Sequence, residues 1–167
     1  MAEIARASGL SRQTVYSHFP SRESLLTAVG DRALGKALAA IDEAMETGDD
    51  PGGQLTRLIP AWWETVGHHA HVIGVLGDQV TMGDGKEIRR FHEPILERLE
   101  DLARRGQEAG EFDDAVSPGW LASAFLGLIH TTADEVAQGR MDPGAALTAL
   151  ENGIPRLFGV DSAAPRS

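Results

Sequence analysis

The chain has 167 residues, 42% of them hydrophobic, which suits one moderate domain or a small domain joined to a larger one. It contains no cysteine, so disulfides and thiolate metal sites are excluded. It carries no secretory signal and no apolar run long enough to span a bilayer, so a soluble cytoplasmic protein is expected. The net charge of −10 hides an asymmetry: residues 1–22 carry Arg6, Arg12 and Arg22 against Glu3, a local +2, and the remainder carries −12.

The first 26 residues have the layout of a helix-turn-helix. Met1 to Ser8 reads as a first helix, with Ile4, Ala5 and Ala7 small or apolar so that it can lie close to a neighbour. Gly9-Leu10-Ser11 reads as the turn: Gly9 permits a positive φ, Leu10 is expected as a core plug between the helices, and Ser11 stands at an N-cap position. Arg12 to Phe19 is the second helix, closed by Pro20. Val15 and Phe19 are four apart and face inward. Arg12, Gln13, Thr14, Tyr16, Ser17 and His18 then face outward, and all are hydrogen-bonding types. Arg and Gln match guanine and adenine edges in the major groove, and Thr, Tyr and Ser commonly reach phosphate oxygens. Ser21 caps the next helix, where Arg22 could meet a phosphate.

The string Ile-Ala-x-x-x-Gly-Leu-Ser-x-x-Thr-Val-Tyr-x-His-Phe-Pro-Ser-Arg-Glu-x-Leu-Leu resembles the DNA-binding signature of the TetR/AcrR family of transcriptional regulators. The resemblance covers about the first sixth of the chain, and the rest matches in helical layout only. It implies that the second helix is the recognition helix and that the protein is a homodimer on double-stranded DNA. It places Arg12, Gln13 and Thr14 where bases are contacted, and Thr14, Tyr16, His18 and Arg22 where phosphates or backbone are. Family members carry a further helix upstream, so two readings arise here. The native protein starts further upstream, or the chain is a dimeric ligand-binding or protein-interaction module impaired in DNA binding. An acidic body behind a mildly basic head fits specific DNA binding and argues against broad nonspecific affinity.

The remainder reads as helices without strand-like alternation. A long helix runs from Ser21 to about Thr47 with a stripe of Leu26, Val29, Ala33, Ala37, Ile41 and Met45. Gly48 to Gly53 is a break, followed by a helix from about Gln54 to His69 with a kink expected at Pro60. A short helix from His71 to Thr81 and a loop at Met82–Gly85 precede a helix from about Lys86 to Glu108, with Phe91, Ile95, Leu99 and Leu102 on one face. Ser117-Pro118 and Asp142-Pro143 each start a helix. The expected organisation is all-α: a partial helix-turn-helix head at 1–26, a ligand-binding and dimerisation body at 27–160, and a disordered tail at 161–167.

The last two helices are apolar on nearly all faces and need cover on more than one side. A two-fold four-helix bundle would supply it, through Trp120, Leu121, Ala124, Leu128, Leu147, Leu150, Ile154 and Leu157. A small-molecule effector pocket is expected among Trp62, Trp63, Val66, Ile73, Leu76, Phe91, Ile95, Phe125 and Ile129, the competing reading for each being ordinary core. Trp62 and Trp63 are adjacent, so one is expected in the core and the other partly exposed or lining the pocket. His68, His92, His130, Gln79 and Asp134 are candidate polar handles. His68, His69 and His71 with His92-Glu93 could hold zinc, but histidines at a helix end are commonly solvent-facing, and no metal or cofactor is expected. No nucleophile elbow, phosphate-binding glycine loop or diagnostic carboxylate pair is present, so an enzyme is not expected.

Overall fold

The computed structural model describes residues 1–46, 48, 50–67 and 85–160, the side chains of residues 3, 4, 66, 67 and 85–91 excepted. The described residues form helices α1 (Ala2–Ser8), α2 (Arg12–His18), α3 (Arg22–Glu46), α4 (Pro51–Gly67), α5 (Gly85–Glu108), α6 (Pro118–Ala137) and α7 (Pro143–Leu157), with no strand among them. The short helix expected at His71–Thr81 and the expected frayed tail lie outside the described residues.

Local chemistry sets most of the boundaries. Gly9 has φ 67, and the amide of Leu10 reaches back to the Ala5 carbonyl at 3.1 Å while that of Gly9 reaches Arg6. This is the glycine-terminated turn that satisfies the last carbonyls of a helix. Ser21 and Ser24 cap α3 reciprocally: the Ser24 amide donates to Ser21 Oγ at 3.0 Å and the Ser21 amide to Ser24 Oγ at 3.1 Å. Ser117 and Asp142 accept from the first-turn amides of α6 and α7, as their positions before Pro118 and Pro143 predict.

One boundary corrects the sequence reading. The break ends at Asp50, and Pro51, Gly52 and Gly53 form the first turn of α4. Two carboxylates hold these residues in the helix. Asp50 Oδ1 accepts from the Gly53 amide at 2.7 Å, and Glu111, reaching in from the loop after α5, accepts from the Gly52 amide at 2.8 Å. The glycines lack helix propensity, but the amides of a first turn have no partner within the helix, and the carboxylates supply one.

The body is built around α4, which packs against α3, α5, α6 and α7. Its Leu55, Leu58, Ile59, Trp62 and Trp63 are all buried. Against them lie Ala37, Ile41 and Ala44 of α3, Ile95, Leu99 and Leu102 of α5, Leu121, Phe125 and Ile129 of α6, and Ala146, Leu150 and Ile154 of α7. The stripe on α3 is buried only in its second half; Leu26, Val29 and Ala33 are half-buried, because the body begins near Leu34. The head helices α1 and α2 pack on one another through Ala5 and Val15.

Polar groups reinforce the junction of α3, α4 and α5. Gln54 is buried; its amide donates to the Met45 carbonyl at 3.3 Å, and its oxygen accepts from both terminal nitrogens of Arg105 at 3.1 Å each. Arg105 also donates to Asp101 at 3.0 Å. Across the surface, Arg98 Nε donates to Asp42 Oδ1 at 2.7 Å, tying α5 to α3.

At the far end, Phe112 lies over Gly106 with its ring edge-on to Phe158, centroids 5.2 Å apart. A Cβ on Gly106 would stand 2.0 Å from the Phe112 ring. Gly106→Ala is therefore expected to destabilise the body by about 1–3 kcal/mol through overpacking, despite alanine's better helix propensity. Urea denaturation checks this; an unchanged or raised midpoint would show that the Phe112 ring has room to move.

Candidate nucleic-acid interface and effector site

The head presents a polar outer face because α2 buries only one side. Val15 is 5% exposed, while Arg12, Gln13, Tyr16, Ser17 and His18 are exposed. Ser11 caps α2, its Oγ accepting from the Thr14 amide at 3.0 Å. The Thr14 hydroxyl is drawn into the same cap, 2.8 Å from Ser11 Oγ, and Thr14 is only half-exposed. Ser17 donates to the Thr14 carbonyl at 2.8 Å. The hydroxyls of Thr14 and Ser17 are thus committed within the helix, and the side chains with their tips at the surface are Arg12, Gln13, Tyr16 and His18. Arg22 is exposed in the first turn of α3, beside these tips in the chain and just past the Pro20 turn.

Two expectations about the head change. Leu10 is 51% exposed and does not plug the gap between the helices. The turn uses its amide to close α1 and leaves its side chain outside. Phe19 is half-buried at the C-cap of α2, where the backbone has already left the helix. The side chain of Ile4 lies outside the described residues.

The expected effector-site residues fall at the centre of the body. Trp62, Ile95, Phe125 and Ile129 are 3% exposed or less. Trp63 is 7% exposed, so of the two alternatives for the second tryptophan, partial exposure or a place in the pocket lining, partial exposure is excluded: α4 is covered on opposite sides, and both indoles are enclosed. Trp62 meets Phe125 edge-on, centroids 5.4 Å apart. The side chains of Val66 and Phe91, and residues Ile73, Leu76, Gln79, His68, His69 and His71, lie outside the described residues, and the suggested zinc cluster with them.

The eight residues assigned to a subunit interface divide in two. Leu121, Leu150 and Ile154 are 3% exposed or less, so they are spent on the chain's own core and have no surface to offer a partner. Helical spacing put them on the apolar side but could not say which apolar side faces the core. Trp120, at 52%, and Leu128, at 39%, are exposed on the outer face of α6, with Ala124 between them; Leu147 and Leu157 are half-buried.

The sequence suggests His92 and His130 as separate polar handles, and His92 with Glu93 also as completing the zinc cluster. The antiparallel packing of α5 and α6 brings them together, with ring centroids 5.1 Å apart. Burial, and next the adjacent His92, hold the His130 imidazole down at about 4 against its ordinary 6.5, with Asp134 pulling weakly the other way. The folded state therefore binds this proton less readily than the unfolded state. The stability tied to it is complete above pH 6.5 and is lost as pH falls toward 4. His130→Phe is expected to flatten the fall in stability over that interval, as measured by thermal melting at stepped pH. An unchanged slope would assign the acid lability to other groups.

Residues 1–29 match the family model for bacterial regulatory proteins of the tetR family. Over 68 residues the chain is 32% identical to the HTH-type transcriptional regulator EthR of Mycolicibacterium smegmatis; the match spans 40% of this chain and 31% of that protein. The fold is similar to the crystal structure of PfmR, a TetR family transcriptional regulator from Thermus thermophilus, with TM-score 0.73 and 22% identity over 93% of this chain and 85% of that one. It is also similar to the TetR-like regulator LfrR of Mycobacterium smegmatis in complex with proflavine, with TM-score 0.65 and 21% identity over 97% and 85% of the two chains. Residues 1–29 thus carry a motif of the tetR family of bacterial regulatory proteins, and the all-helical fold of the chain is similar to that of TetR-family regulators.

Proposed function

We propose that the protein is a cytoplasmic transcriptional regulator, a ligand-responsive repressor that binds a palindromic operator as a homodimer. The observation that carries this reading is the outer face of α2. A capped, glycine-turned helix keeps Val15 inward and puts Arg12, Gln13, Tyr16 and His18 at the surface together. Arg12 and Gln13, in the first turn, reach base edges. Thr14, its hydroxyl held by the cap, offers a base its methyl group, and Ser17 adds a close backbone approach. Tyr16, His18 and Arg22 hold phosphates and set the register. The match to the family model over residues 1–29 and the likeness to EthR support the assignment.

Dimerisation follows from two exposed large apolar side chains of the body, Trp120 and Leu128, which lie two turns apart on α6 with Ala124 between them. Exposed Ser123 and Gly127 beside them would let a second α6 approach closely. A two-fold axis there makes the interface self-complementary and holds two recognition helices at the spacing of successive major grooves, about 34–36 Å. An effector enclosed by Trp62, Trp63, Ile95, Phe125 and Ile129 would alter that spacing through α3, the helix shared by body and head. The operator affinity then changes by the effector's differential affinity for the two states. The proflavine complex of LfrR supports a small-molecule effector in this fold.

Fluorescence anisotropy with DNA from the chain's own upstream region, over a series of salt concentrations, tests the DNA reading. Arg12→Ala is expected to cost about 1–3 kcal/mol and to relax sequence preference. Tyr16→Phe and Arg22→Ala weaken all sequences alike, and Arg22→Ala lowers the salt slope by about 1. Absence of salt-dependent binding would leave a dimeric module without DNA activity. Leu128→Arg is expected to convert the dimer to a monomer in analytical ultracentrifugation while the fold persists. A dimer that survives it would move the interface elsewhere.

A further inference from the structure

The packing of α2 on α1 fixes which of its residues stand furthest out. Val15 is 5% exposed and faces α1, so the outermost line of α2 runs opposite Val15. At about 100° per residue, Gln13 and Ser17 each stand about 160° round from Val15, one on either side of that line. They are one turn apart, about 6 Å along the axis. Tyr16 stands about 100° from Val15 and His18 about 60°, on opposite flanks. Arg12 shares the flank of Tyr16 and reaches the outermost line only by the length of its side chain.

The two residues on the outermost line differ in what they can offer. Ser17 donates its hydroxyl to the Thr14 carbonyl at 2.8 Å, so its proton is spent within α2. Gln13 is exposed, and no hydrogen bond holds its amide among the described residues. That amide carries an acceptor oxygen beside a donor nitrogen, and the small Ser17 leaves the space next to it open. A helix seated in a major groove about 12 Å wide turns its outermost line to the base edges and its flanks to the two backbones. Gln13 is then the side chain that meets a base head-on. Adenine alone presents a donor and an acceptor side by side in that groove, N6–H and N7. Guanine presents two acceptors, cytosine a donor, and thymine an acceptor with a methyl group.

We propose that Gln13 is the specificity-determining residue of α2, reading N6 and N7 of one adenine in each operator half-site, and that a methyl group on N6 of that adenine blocks the contact. The inference rests on the DNA reading above and names the base that is read and a modification that would regulate the site. In a paired adenine one N6 hydrogen is held by thymine, and only the other faces the major groove. N6-methylation puts a methyl group in place of that second hydrogen, so the Gln13 carbonyl loses its donor and meets carbon instead.

Fluorescence anisotropy on the full chain tests the proposal, with the upstream-region DNA synthesised in three forms. One contains ordinary adenine, one 7-deaza-adenine, which lacks the N7 acceptor, and one N6-methyladenine. The wild-type chain is expected to bind each modified DNA at least about tenfold more weakly than the ordinary one, equivalent to about 1.4 kcal/mol. Gln13→Ala is expected to bind ordinary DNA more weakly by a similar factor and to bind all three forms alike, with thermal melting confirming that it is folded. Wild-type binding that tolerates either modified DNA, or a loss that persists in Gln13→Ala, overturns the proposal while leaving the chain a DNA-binding protein. Absence of salt-dependent binding to ordinary DNA overturns both.

Discussion

The enclosure of α4 is the constraint on which the rest of the body depends. A helix carrying Leu55, Leu58, Ile59, Trp62 and Trp63 has only a narrow polar side, with Thr56 and Glu64, to give to water. Each large side chain left in water would cost about 1.5–3 kcal/mol, so α3, α5, α6 and α7 must close around it. Their apolar stripes are the matching halves of that enclosure. The buried Gln54 then fixes the register, because its amide has one set of partners, the Met45 carbonyl and Arg105, that leaves none of its polar atoms unpaired.

The same enclosure ties the body to the head. α3 is one continuous helix from Arg22 to Glu46, and its second half is one wall of the core. Its first half is half-buried and leads to α1 and α2. A displacement of α4 or α5 against Ala37, Ile41 or Ala44 has no joint in which to dissipate, since helices bend little without proline, glycine pairs or bulges. Arg98 and Asp42 add a polar strut at the surface, worth little in stability but oriented along the contact of α3 with α5. In the proposed regulator this is the physical route from effector to operator: a rigid helix with one end in the effector layer and the other at the recognition helix.

Among the described residues, the exposed large apolar side chains fall in two places. Leu10 and Tyr16 are on the head, Trp120 and Leu128 on α6. Single exposed apolar residues are ordinary, whereas a pair two turns apart on one helix face calls for a partner. Trp62 and Phe125 meet edge-on in a third place, inside the core of the body. The DNA-facing, dimerising and effector-binding surfaces proposed here are thus separate in the fold.

Much of the head was legible in the chain alone, because its signals are local. Gly9, Ser11, Ser21 and Pro20 act within four residues of themselves, and the spacing of Val15 decides which side of α2 faces out. The helix starts at Ser117-Pro118 and Asp142-Pro143 were legible for the same reason. What depends on distant residues was not. The first turn of α4 forms from two glycines because Glu111, 59 positions on, accepts the Gly52 amide. Trp63 is enclosed because α4 is covered from opposite sides, which no periodicity in α4 itself reveals. Leu121, Leu150 and Ile154 face their own core while Trp120 and Leu128 face out, a division that only the packing of α6 and α7 on α4 could make. The meeting of His92 with His130 likewise follows from the antiparallel crossing of two helices. The sequence alone determined the helices, their caps and the polar face of α2, since these rest on contacts a few residues long. The tertiary structure decided which apolar face is core, which is surface, and which polar groups share a site, since those are properties of neighbours far away in the chain.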